Sequence, residues 1–137
     1  MKKLPNSQYP AILRTDFTDE PVWRSIKKSA LGDDLDEGDD FAPYFVDDAA
    51  FDGLTKEQLL KAVPEDYPNS FIFVVDGRTV ADRQHPVLVV KLKRQPGLEF
   101  RAVPSAIETV FANLFLANCD FEDFVRSAGE SGVYRAP

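Results

Sequence analysis

Apolar residues fall in short runs along the chain, and three of those runs stop on an aspartate. "AILRTDF" reaches Asp16, "PYFVDD" ends at Asp47 and Asp48, and "FIFVVDG" ends at Asp76. Short apolar runs bounded by polar turn signals predict strands. Strands are therefore expected over residues 10–17, 42–48 and 70–76, the last a continuous run of the kind covered on both faces of a sheet. Between the first two, "TDEPVWRSIKKSAL" (18–31) sets Val22, Trp23, Ile26 and Ala30 on one helical stripe. Thr18 or Asp19 can cap this helix, Pro21 fits its first turn, and Gly32 stops it. "TKEQLLKAV" (55–63) predicts a second helix, opened by a Thr55–Gln58 capping box and ended by Pro64.

Past Asp76 the pattern changes. "GRTVADRQH" holds at most one helical turn, and strands over 86–93 and 98–104 flank the turn signal "RQPG", which predicts an antiparallel hairpin. "SAIETVFANLFLAN" (105–118) is apolar almost all round, so a heavily buried helix is expected, with Ser105 and Glu108 as a capping box. Asn113 and Asn118 lie in or beside that apolar segment, where each should meet a specific hydrogen-bond need, Asn118 by ending the helix in left-handed geometry. Asp120 begins a short amphipathic helix (120–130), and residues 132–136 suit a last edge strand. Alternation followed by a hairpin predicts a single α/β domain whose sheet is parallel at the start and mixed at the end, with about four helices. Phe71, Phe73, Val75, Val87, Val89 and Phe111 should form the core, with Ile72 and Val74 covered on the other face of the sheet.

Composition supports this picture. The 137 residues suit one domain, with residues 1–9 a polar lead, and 44% apolar residues including 11 Phe predict an ordered core. The formal net charge of −7 argues against nucleic-acid binding, which needs a clustered basic surface, and favours a basic protein as partner. The single cysteine, Cys119, excludes an internal disulfide and a cysteine-rich zinc site. "MKKLPNSQYPAIL" lacks the apolar stretch of a signal peptide, and no run approaches the ~20 residues that span a bilayer, so a soluble cytoplasmic protein without membrane association is expected.

The aspartates are the first candidates for chemistry. Ligands of open α/β sheets gather at the carboxyl ends of parallel strands, where Asp16, Asp47 or Asp48, and Asp76 would share one edge. Three converging carboxylates could hold Mg²⁺ for phosphoryl handling, in the manner of a receiver domain. Aspartate is also a common turn former and cap where a strand ends, and separate caps with no cofactor are the simpler expectation. A receiver domain also wants a lysine at a later strand end, which Lys91 and Lys93 match only loosely. The acidic segment 32–41 carries Asp33, Asp34, Asp36, Glu37, Asp39 and Asp40. It is no EF-hand, because counting from Asp34 puts Gly38 and Phe45 where acids are required. It is expected as a solvated loop or as an electrostatic lure for a basic partner. His85 precedes Pro86 and should be extended, Cys119 beside Asp120 should stay a packed thiol, and neither a nucleophile elbow nor a phosphate-binding loop is present. The expectation is a non-catalytic binding protein of the immunity or inhibitor kind, with a Mg²⁺-dependent phosphoryl-handling domain as the alternative.

"LRTDF", "GLTKEQLL", "HPVLVV", "NLFLANCDFEDF" and the closing "GVYR" resemble, in order over residues 11–135, a family of small bacterial-type single-domain proteins described only as a domain of unknown function. The resemblance implies neither an activity nor catalytic residues. "GDDLDEGDD" is longer than the resemblance leads one to expect, which makes its role particular to this chain.

Overall fold

Phe71–Val75 (β3) is buried along its whole length, and the sheet is built outward from it. The computed structural model describes residues 1–136. On one side of β3 lie Ala11–Arg14 (β1) and then Tyr44–Val46 (β2), both running parallel to it. On the other side Val87–Lys91 (β4) and Glu99–Ala102 (β5) form the expected antiparallel hairpin, and Val133–Tyr134 (β6) closes that edge parallel to β5. The order is β2-β1-β3-β4-β5-β6, an α/β domain with one mixed sheet.

Side chains alternate between the two faces of each strand, and helices cover both. Ile12, Phe71, Phe73, Val75, Val87, Val89 and Phe100 pack against Glu20–Leu31 (α1), Ile107–Phe115 (α4) and Phe121–Ala128 (α5). Leu13, Ile72, Val74, Leu88 and Val90 pack against Lys56–Ala62 (α2), Phe51 and Tyr67. The expected core residues are all buried, and Ile72 and Val74 lie on the opposite face. Because β2 and β3 flank β1, the chain reverses its winding there, and α1 and α2 fall on opposite faces of the sheet.

Local signals account for most helix ends. Asp19 accepts a hydrogen bond from the Val22 amide at 3.1 Å, and Gly32 leaves α1 at φ 68°, a conformation that favours glycine. Thr55 with Gln58 forms a complete capping box, and at the start of α5 the Asp120 amide donates to Asp123 Oδ2 at 2.9 Å. Gly77–Ala81 (α3) is a short helix at the end of β3.

Four local expectations are corrected. Ser105 and Glu108 form no capping box: Pro104 starts a 3-10 turn, Pro104–Ala106, so Ala106 precedes α4 and makes no side-chain cap. Only Ile107, Val110 and Phe111 of α4 are buried, and its last turn is left open, because α4 meets the sheet by one face alone. The residue in left-handed geometry after it is Ala117 (φ 58°), while the amides of Asn118 and Cys119 close on the Asn113 carbonyl. Asn113 does meet a hydrogen-bond need, donating Nδ2–H to the Thr109 carbonyl at 2.8 Å. His85 is not extended but has φ 50°: its amide closes a turn on the Asp82 carbonyl and its Nδ1 lies 2.8 Å from the Thr79 carbonyl.

Candidate functional site

The three parallel strands bring Asp16, Asp47, Asp48 and Asp76 to one edge, and there each finds its own partners. Asp16 Oδ1 accepts from the Thr18 amide at 2.9 Å and the Thr18 hydroxyl at 2.5 Å. Asp47 lies 3.4 Å from Arg14 Nη1. Asp48 accepts from the Ala50 amide, opening the turn Ala49–Phe51, and pairs with Lys2; the Lys2 bond first and the Ala50 amide second lower its pKa. Asp76 opens α3 by accepting from the Thr79 amide at 3.1 Å and is clamped by Arg101, whose Nη1 and Nη2 donate at 2.9 and 2.8 Å. Burial pushes the Asp76 carboxyl up, but Arg101 and Thr79 together outweigh it and hold the group below the usual carboxylate range. Among the described residues, no group of three or more His, Cys, Asp and Glu side chains is placed to hold a metal ion.

The end of β1 is occupied by protein. Arg14 is 1% exposed, on the α1 face of the sheet. Its Nη1 donates to both Glu20 oxygens at 2.6 and 3.0 Å, and its guanidinium lies 4.5 Å from the Phe17 ring centroid and 5.1 Å from that of Trp23. Its Nε and Nη2 are buried with no partner. The Gly53 amide donates to the Thr15 carbonyl at 2.8 Å and ties the loop before α2 across the same strand end. Two carboxylates on one guanidinium, with aromatic rings about it, make a clamp that fastens β1 to α1 and β2.

A second constellation, which the sequence did not single out, lies where α4 is left open. Phe41 is 56% and Leu116 57% exposed, unusual for residues so apolar. They flank a cavity of about 270 Å³ whose wall includes Ala30, Leu35, Pro43, Phe111 and Phe115. Tyr9 stands 5.5 Å from Phe41 and 5.3 Å from Phe115 between ring centroids, and Phe115 stacks on Phe111 at 5.7 Å, so the patch is a continuous aromatic surface.

The rim is acidic. The loop that contributes Leu35 and Phe41 to the cavity also carries Asp33, Asp34, Asp36, Glu37, Asp39 and Asp40, all exposed. Of these six, only Glu37 forms an ion pair among the described residues, with Lys27 at 2.9 Å; Asp39 Oδ2 accepts from the Asp36 amide at 2.8 Å and shapes the loop. Glu108 lies on the cavity wall with its carboxylate against Gly32, where Oε1 would be 2.3 Å from a Cβ. That places a negative charge beside the carbonyl end of α1, which the helix dipole disfavours. The acidic loop thus joins an apolar groove, and the available clue was the helix 105–118, apolar on more faces than one sheet contact can cover.

The family model described as a domain of unknown function, DUF6924, matches residues 9–137. No curated protein matches the chain. No helix among the described residues is long and apolar enough to cross a membrane.

Proposed function

The chain belongs to the DUF6924 family, and we propose that it is a non-catalytic cytoplasmic binding protein that docks a basic, apolar-anchored segment of a partner protein, in the manner of an immunity or inhibitor protein. One observation carries this: Phe41 and Leu116 stand exposed at the mouth of an apolar cavity that has Glu108 on its wall and takes Leu35 and Phe41 from the loop that bears six exposed carboxylates. The volume of about 270 Å³ is below the ~300–1,000 Å³ of pockets that enclose drug-sized ligands, and it suits one or two apolar side chains. Aromatic anchors at the centre of a patch supply affinity, while a charged rim supplies approach rate and choice of partner. Lysine or arginine beside the anchor would relieve the charge at Glu108 and along the loop. The Mg²⁺ alternative draws less support, because Arg101 and Arg14 already face Asp76 and Asp47.

Selection of random peptides displayed on phage against the purified protein tests this reading. The expected winners combine a Leu, Phe or Trp with flanking Lys or Arg, bind more weakly as salt is raised, and lose binding to Leu116→Ser and Glu108→Lys variants of unchanged melting temperature. Winners that are acidic, that bind both variants as well as wild type, or that are absent altogether would refute it.

A further inference from the structure

At the opposite side of the α4 C-terminus from the aromatic groove, a wider cavity of about 800 Å³ opens between the β4–β5 turn and the α4–α5 junction. Its apolar lining is Leu114, Ala117 and Cys119 with the edges of the buried Phe71 and Phe121, and one wall carries Lys91, Lys93 and Arg94. In a chain of net charge −7 this is a local concentration of cations. Of the two acids at the same cavity, Glu122 pairs with Lys91, which leaves the single carboxylate of Asp120 against the two cations Lys93 and Arg94. Lys93 and Arg94 form no ion pair among the described residues, so a net positive charge remains there.

The backbone there is also held in a costly conformation. Arg94 (φ 51°) and Gln95 (φ 81°) are consecutive left-handed residues, and Ala117 (φ 58°) faces the same cavity from the other wall. Three of the five non-glycine residues with positive φ among the described residues therefore ring this one cavity. Glycine or asparagine would make such a turn at lower cost, and strain of this kind gathers at ligand clamps.

We infer that this cavity is a second binding site, for a small organic anion whose phosphate or carboxylate head sits on Lys93 and Arg94 and whose apolar body lies over Leu114 and the edges of Phe71 and Phe121. It is independent of the partner groove, since Leu114 and Ala117 face this cavity while Phe115 and Leu116 face the other. Guanidinium and ammonium donors make charge-assisted hydrogen bonds to such a head, and the apolar surface distinguishes an organic anion from an inorganic one.

Amide-resolved NMR titration of the full chain with phenyl phosphate, benzoate, inorganic phosphate and phenol tests the site. Phenyl phosphate or benzoate should shift Ser70, Phe71, Lys93 to Gln95 and Ala117 to Glu122, with inorganic phosphate and phenol each binding more weakly. The exposed double substitution Lys93→Ala with Arg94→Ala should weaken binding at least about tenfold, as the loss of one or two charge-assisted bonds requires, without moving the melting temperature. A Lys3→Ala control should bind like wild type. No shifts at millimolar anion, equal binding by phenol or inorganic phosphate, or unchanged affinity in the double variant would overturn the inference. Loss of the partner groove by Leu116→Ser should leave this titration unchanged, so the two sites fail or stand separately.

Discussion

Replacing Arg101 by Met should reverse the sign of Asp76's contribution to the pH dependence of stability. In the folded chain burial is the largest influence on Asp76 and acts to raise its pKa; the bidentate Arg101 bonds and the Thr79 cap overcome it. Wild-type Asp76 is therefore depressed below its unfolded value of about 3.9, so its stabilisation is fully present above that pH and is lost as pH falls through the folded pKa. Without Arg101 the burial remains and its main counterweight is gone, so the carboxyl should titrate above about 3.9 and favour the folded state on protonation instead. Both partners are mostly covered, 12% and 24% exposed, so solvent screening is incomplete, and two charge-assisted bonds should give a coupling of about 2 kcal/mol at neutral pH. The Asp76→Asn partner for the cycle is suitable because Asn caps a helix about as well as Asp, which isolates the charge from the cap. Urea denaturation of wild type, both single variants and the double variant at neutral and acid pH measures the coupling, and carboxyl-carbon NMR follows Asp76 directly. The difference between wild type and Arg101→Met should be largest at neutral pH and shrink on acidification. A coupling below about 0.5 kcal/mol, within the additivity expected of independent sites, or an Asp76 pKa unmoved by Arg101→Met would refute the reasoning.

Phe73 is fully buried in the central strand, so Phe73→Ala should cost about 3–5 kcal/mol, and a variant melting within a degree or two of wild type would remove β3 from the centre of the core. Thr79 is fully buried, its hydroxyl 2.9 Å from both Asp76 Oδ1 and the Pro86 carbonyl; Thr79→Val should cost about 1–3 kcal/mol in chemical denaturation and Thr79→Ser clearly less. Asp16 and Asp76 bind different partners, so Asp16→Asn and Asp76→Asn should add to within about 0.5 kcal/mol, and coupling above about 1 kcal/mol would point back to a shared site. Gly32→Ala forces a side chain into φ 68° against Glu108 and should lower stability by about 1 kcal/mol or more, read as a shift in the denaturation midpoint.

Much of this fold is legible in the sequence, because its signals act over a few residues. The continuous run Phe71–Val75, the Thr55–Gln58 box, the Gly32 stop and the "RQPG" turn each act within about one turn or strand length, and each lies where the pattern put it. Alternation likewise assigned Ile72 and Val74 to the face opposite Phe71, Phe73 and Val75, since a pleated strand allows no other arrangement. The aspartates show where that legibility stops. That they end strands is local; that Asp76 meets Arg101, 25 residues on, and Asp47 meets Arg14, 33 residues back, depends on which strands become neighbours. The groove is of the same kind. Leu35 and Phe41 come from a loop, and Phe111, Phe115 and Leu116 from a helix some 70 residues later. Whether an apolar side chain is covered or left at a surface is decided by how many faces its helix turns to the sheet, and α4 turns only one. Short-range periodicity and capping belong to the sequence, while pairing and exposure belong to the order of the strands and the seating of the helices upon them.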